Sequence, residues 1–272
     1  MSMALGRQPL DEEVVGYSQY LNNSLFSEHQ MLHALRASAE SVNRELADAK
    51  ALHLFAIHRA RVQLMATELP PASHILDLGG ANAPLCDAGY PHQFSQLVIV
   101  DLPPEDRHDE FAGRIVSDRE SPNGAVRVAY TSMTDLSMFE SSSIDLAWSG
   151  QSVEHISVEA AEQMFAEVLR VLRPTGWFCL DTPNRLLTKI HAEGAMIHPD
   201  HQHEYTPSEL TSALANAGFR VVRSLGVCDM PLTSRSGVID YRDFLVGAGI
   251  SQSIDTSYIQ FHACQPASGL TE

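Results

Sequence analysis

Three groups of residues have the types and spacing to do chemistry. The first is the stretch His74 to Cys86, HILDLGGANAPLC, in which a short apolar run carries Asp77 and ends on Gly79 and Gly80. Strand, tight turn and helix start, in that order, make the nucleotide-binding corner of an open α/β sheet, where ligands sit beyond the carboxyl ends of the strands. Glycine suits that turn because a side chain would block the ligand or forbid the backbone angle. The second group is Asp101, which closes the apolar run Leu97-Val98-Ile99-Val100 and lies 24 positions after Asp77. That is close to the spacing at which an acid after the second strand receives ribose hydroxyls. The third is rich in histidine. Glu154-His155 follows the apolar segment Ile144 to Ser149, and His198, His201 and His203 precede a helix start together with Glu204 and Tyr205. An imidazole at that edge can take a proton from a bound acceptor.

These groups need a scaffold, and the hydrophobic pattern supplies one. Seven apolar segments read as strands: His74–Leu78, Leu97–Asp101, Ala125–Tyr130, Ile144–Ser149, Trp177–Asp181, Phe219–Leu225 and Ser257–Ala263. Helices are expected near Ala83–Gly89, over Ser157–Leu172 with Ala161, Phe165, Val168 and Leu172 inward, and from the capping box Thr206-Pro207-Ser208-Glu209 to Gly218. Leu102–Gly124 reads as a loop around one poorly formed helix, and Gly226–Ser253 as an irregular insert with some helix. Strands alternating with helices predict a doubly wound, mostly parallel seven-stranded sheet. Upstream, Tyr17 to Leu69 contains neither glycine nor proline. Leu32, Leu35, Ala39, Val42 and Leu46 form one helical stripe, and Ala51, Phe55, His58, Val62, Met65 and Leu69 another. Ser27 and Gln30 suit a capping box, and Pro70-Pro71 close the segment. The expected organisation is an N-terminal helical appendage over residues 1–71, covering the substrate or forming a dimer face, and a core over 72–272.

Composition narrows the function classes. The chain has 272 residues, 44% hydrophobic and 19% charged, which describes a globular protein large enough to bury its own core. Its net charge is −16 and its only lysines are Lys50 and Lys189, so phosphate backbones are repelled and nucleic acid is not the favoured partner. No apolar run approaches the roughly 20 residues that span a membrane. Cys86, Cys179, Cys228 and Cys264 lie far apart, as reduced thiols of a cytoplasmic protein would. The amino terminus turns acidic too soon for a secretory signal.

Taken in order, ILDLGG, VIVD, SMTDL, IDLAWSGQSVEHI, VLRPTGWF and SYIQFHAC resemble the motif series of class I S-adenosylmethionine-dependent methyltransferases over about residues 72 to 264. The resemblance implies a Rossmann-like core with S-adenosylmethionine as cofactor. It puts Asp77, Gly79 and Gly80 around the methionine part, Asp101 on the ribose hydroxyls and Leu102 beside the adenine. Asp135 would accept from the adenine amino group, Leu136 would offer backbone contacts, and Ser149 and Gly150 would line the sulfonium site. One departure is visible: the family turn usually reads GxGxG, and here Ala81 and Ala83 replace the second and third glycines.

A sulfonium methyl transfers in line, so the enzyme chiefly aligns donor and acceptor and excludes water. A hydroxyl is a poor nucleophile and gains from a base or a metal. His155 and His201 are the candidate bases. VEH followed by a DHxxE-aromatic-T string is also similar to metal-dependent small-RNA 2′-O-methyltransferases, which implies Glu154, His155 and His201 as ligands of a divalent ion. Gln151 stands where that family has its first glutamate, and losing a charged oxygen weakens a hard-cation site. The expected function is therefore O-methylation of a small-molecule or carbohydrate hydroxyl, with a histidine base favoured over a divalent metal, in a chain that can form a homodimer. A metal-assisted RNA 2′-O-methyltransferase and a cofactor-binding module without catalysis are the alternatives.

Overall fold

The computed structural model describes residues 39–82, 84–107 and 116–267. The expected capping box at Ser27 and Gln30, much of the first stripe, and Ala83 of the glycine turn lie outside these residues. The chain divides into two compact units between Phe55 and Ala56, within a long helix α1 (Ala39–Glu68). The larger unit carries the sheet.

Among the described residues nine strands pair in the order β3-β4-β2-β1-β5-β6-β9-β7-β8. Five run parallel: β4 (Gly124–Tyr130), β2 (Gln96–Asp101), β1 (His74–Leu78), β5 (Ile144–Gly150) and β6 (Leu172–Pro183). Strand β9 (Ser257–Pro266) inserts antiparallel between β6 and β7 (Phe219–Asp229). The two strands beyond the expected seven are β3 (Arg119–Ser121), a hairpin partner of β4, and β8 (Ile250–Ser251), paired with the end of β7. Strands of three and two residues, without apolar alternation, leave no periodic signal, which is why the sequence reads them as loop and insert.

The central strands are buried on both faces, as parallel strands covered by helices must be. Ile75, Leu97, Ile99, Leu146 and Trp148 enter one core cluster, while Leu76, Leu78, Val98, Val100 and Ala147 enter the other. On the second face lie α2 (Val158–Val171), capped by Ser157, and α4 (Pro207–Asn216), whose capping box between Thr206 and Glu209 is complete. Between β6 and α4 comes the short α3 (Arg185–His191), and after β7 come α5 (Pro231–Ser236) and α6 (Arg242–Val246).

The first face takes the second half of α1, through Ala56, Ala60, Leu64 and Met65, with Leu69 just beyond its end. Phe55, placed on an apolar helical stripe by the sequence, is 64% exposed. The buried face combines the small Ala56 and Ala60 with Leu64 and Met65, and Phe55 falls outside it. The helix expected over Ala83–Gly89 is a series of hydrogen-bonded turns instead: the amides of Asp87 and Ala88 both donate to the Pro84 carbonyl, and that of Tyr90 to Leu85.

Leu64 is fully buried. Leu64→Ala should cost about 3 kcal/mol of stability, the usual range for a buried leucine truncation. Denaturant unfolding checks this, and an unchanged midpoint would mean that this half of α1 is not part of the core.

Candidate functional site

The chain runs outward from β1 through β2 to β4 and then crosses to the other side of β1 at β5. Ligand crevices in such sheets open where the strand order reverses. There, at the carboxyl ends of β1, β2 and β5, lies a cavity of about 670 Å³. It is lined by Asp77, Gly79, Gly80, Asp101, Leu102, Gly150, His155 and His201 among the residues singled out in the sequence. Asp135, Leu136 and Ser149 do not line it. Asp135 is exposed and accepts from the Ser137 amide, Leu136 is buried in the core, and Ser149 is fully buried. The loop carrying the first two instead presents Ser132 and Met133.

The glycine turn is dictated by what surrounds it. Gly79 has φ +74°, and a Cβ there would come within 2.6 Å of Ser152 Oγ. A Cβ on Gly80 would stand 2.3 Å from the Asp77 carboxylate. That carboxylate accepts from the Leu85 amide at 2.6 Å and is 1% exposed. Burial pushes its pKa up to about 7; the Leu85 hydrogen bond opposes the shift and Asp101 adds to it. Asp101 in turn ties the two strand ends together, accepting from the Ala81 amide at 2.9 Å and the Leu102 amide at 2.8 Å. Arg107 Nε lies 3.4 Å from its Oδ1.

The opposite wall begins at Gln151, a non-glycine residue held at φ +56° with its amide donating to the Asp181 carbonyl. Backbone strain of this kind concentrates at functional sites. A single 3₁₀ turn, Val153–His155, follows. Glu154 is fully buried: Thr182 Oγ1 donates to its Oε2 at 2.9 Å, while Oε1 has no hydrogen-bond partner among the described residues. Burial pushes this carboxyl up to about 7. Burial pulls His155 down to about 4, helped by neighbouring His201 and His198, so its ring is neutral at physiological pH.

His201 arrives from the segment between α3 and α4. The amides of Gln202 and His203 donate to the Glu154 carbonyl, and Gln202 Nε2 donates to the His155 carbonyl, so the segment is clipped to the 3₁₀ turn. Its ring meets that of His155 edge-on, with centroids 4.8 Å apart. His201 Nδ1 lies 2.7 Å from Glu204 Oε1. Ligand atoms of Glu154, His155 and His201 all lie within 4.8 Å of one another, so the three could hold a cation. Two imidazoles and one carboxylate are a donor set for a transition-type ion better than for magnesium.

The sequence did not single out Arg61, Trp148, Asn82, Asp106, Arg107 and Ser152 as cavity-lining residues. Arg61 donates to both oxygens of fully buried Asp181, at 2.5 Å and 3.0 Å. His58 and Met65, placed on an apolar helical stripe, line the cavity beside it. Helical spacing put these side chains on one face, but nothing in the sequence said that the face meets the glycine turn.

Three comparisons bear on this site. Residues 50–224 match the family profile described as "Methyltransferase domain". The "Probable S-adenosylmethionine-dependent methyltransferase" of Mycolicibacterium smegmatis is 40% identical over 85 residues, 31% of this chain and 32% of that protein. One of the same description from Mycobacterium tuberculosis is 32% identical over 136 residues, 50% of this chain and 45% of that protein. The chain thus spans less than half the length of these curated relatives. A SAM-dependent methyltransferase structure from Thermotoga maritima superposes with TM-score 0.53 at 15% identity, covering 82% of this chain and 96% of that one, which shows a shared fold.

The Asp77 carboxyl gives a pH test. Its folded pKa of about 7 stands above the ordinary 3.8, so between those values the folded state holds more protons than the unfolded one. Through this group, stability falls as pH rises across that window. Asp77→Asn should remove the decline, so its melting temperature relative to wild type should rise from pH 5 to pH 8. A difference flat with pH would mean that Asp77 is ionised throughout.

Proposed function

This chain belongs to the methyltransferase domain family, and we propose that it transfers the methyl group of S-adenosylmethionine to a hydroxyl of a small-molecule or carbohydrate acceptor. One observation carries the reading: the glycine turn with Asp101 and the histidine pair His155 and His201 line one cavity. Donor and proton acceptor thereby share a single compartment, which in-line transfer to a hydroxyl requires. S-adenosylmethionine is the cofactor in the names of the curated relatives, and the fold supports its use here.

The residues divide the work. Asp77, Gly79 and Gly80 leave room for the methionine part, and Asp101 offers carboxylate oxygens to the ribose. His201 accepts the proton of the acceptor hydroxyl, and neutral His155 packs against its ring. A net charge of −16 supports a small acceptor over RNA.

The proximity of Glu154, His155 and His201 supports a second reading, in which these residues hold a divalent cation that acidifies the acceptor hydroxyl. Gln151, a neutral amide at the family's glutamate position, counts against it.

Methyl release across a panel of hydroxyl compounds tests both. Turnover should persist in chelator, and His201→Ala should lower kcat roughly 100-fold or more, the contribution of a positioned base, with cofactor affinity unchanged. Turnover abolished by chelator and restored by manganese would install the metal reading instead. Transfer to amines alone would overturn the hydroxyl acceptor.

A further inference from the structure

Glu204 is unlike the other acids of this chain. Its side chain is fully shielded, and four donors converge on it: Arg185 Nη1 at 3.2 Å, Thr188 Oγ1 at 2.5 Å, the Ile197 amide at 2.7 Å and the His201 ring at 2.7 Å. All four come from α3 and the segment after it, so the carboxylate gathers the stretch that delivers His201 to the cavity. A carboxylate ringed by a guanidinium, a hydroxyl and an amide has only acceptor capacity, and the nitrogen facing it must carry a hydrogen.

We infer that Glu204 is a positioning residue: it fixes His201 as the Nδ1–H tautomer and leaves Nε2, with its lone pair, as the nitrogen available to the cavity. This rests on the reading of His201 as the base. An imidazole in solution exchanges between tautomers and rotates freely; one with the wrong nitrogen protonated cannot accept the acceptor's proton. The His201 side chain is 7% exposed and braced on two sides by the His155 and His198 rings, with centroids at 4.8 Å and 5.5 Å, so packing restricts the ring plane while Glu204 selects the tautomer. His155 and His201 line the same cavity, and it is the His201 ring that Glu204 bonds through Nδ1. The proton balance is simple: Nε2 takes the hydroxyl proton, Nδ1–H stays on the nitrogen, and Glu204 faces the resulting imidazolium as counter-charge.

The test is nuclear magnetic resonance on the full chain labelled with ¹⁵N at the histidine rings, without ligand. His201 is assigned by its disappearance in His201→Gln, and spectra are taken about two pH units above the ordinary histidine value. Wild type should show one tautomer, with the hydrogen on Nδ1, and Glu204→Gln, which keeps the shape of the side chain, should lose that single state. Wild type with the hydrogen on Nε2, or Glu204→Gln with the tautomer unchanged, would overturn the inference. The wild-type spectrum decides alone if the variant does not fold. Because the readout needs no turnover, it is separable from the reading it rests on. Tautomer lost with methyl transfer undiminished would keep the positioning and remove His201 as base.

Discussion

The Arg61–Asp181 pair is the constraint on which the rest of the site depends. Three carboxyls, Asp77, Glu154 and Asp181, are buried at neighbouring strand ends, and carboxylates out of water repel one another and lose hydration. Burial works to lower the Arg61 pKa, but Asp181 outweighs it, and Glu154 and Asp77 add to the effect, so the guanidinium stays charged. Removing one partner of such a pair typically costs about 3–5 kcal/mol, because the other charge is left uncompensated. The pair also joins helix α1 to strand β6, and the carbonyl of the same Asp181 receives the Gln151 amide. One residue thus fixes both the helix that walls the cavity and the strained turn that opens its other side.

The glycine turn obeys a second constraint of the same kind. Asp77 is the buried acid against which Gly80 must have no side chain, and Gly79 must turn left-handed beneath Ser152. With Asp101 bonding back to the Ala81 amide, the ends of β1 and β2 form one hydrogen-bonded rim. The substitution of alanine for the second family glycine is absorbed there: Ala81 is 2% exposed and belongs to the core cluster, so its methyl points into packing.

The histidine side is built differently, from a segment with little regular structure. Glu204 collects it from one direction and the carbonyls of Glu154 and His155 from the other, so a loop of polar residues acquires the rigidity that a reactive group needs. The neutral state of His155 follows first from its burial in this segment, with the neighbouring His201 and His198 rings adding to the effect.

Several features were legible in the sequence because each is written in local residues: the parallel core strands in their continuous apolar runs, α4 in its capping box, the turn in Asp77-Leu78-Gly79-Gly80, and His155 and His201 as residues that line the cavity. The edge strands β3 and β8 were not, since two or three residues carry no period. Nor was the helix expected after Pro84, where the Asp77 bond to Leu85 shapes the backbone into turns. What only the tertiary structure decided is which distant groups meet. Arg61 and Asp181 are 120 positions apart, and Glu154 and Thr182 are 28 apart. Those pairings depend on how α1 lies on the sheet and on the register of β5 against β6, quantities set by the whole core and by no single stretch of chain.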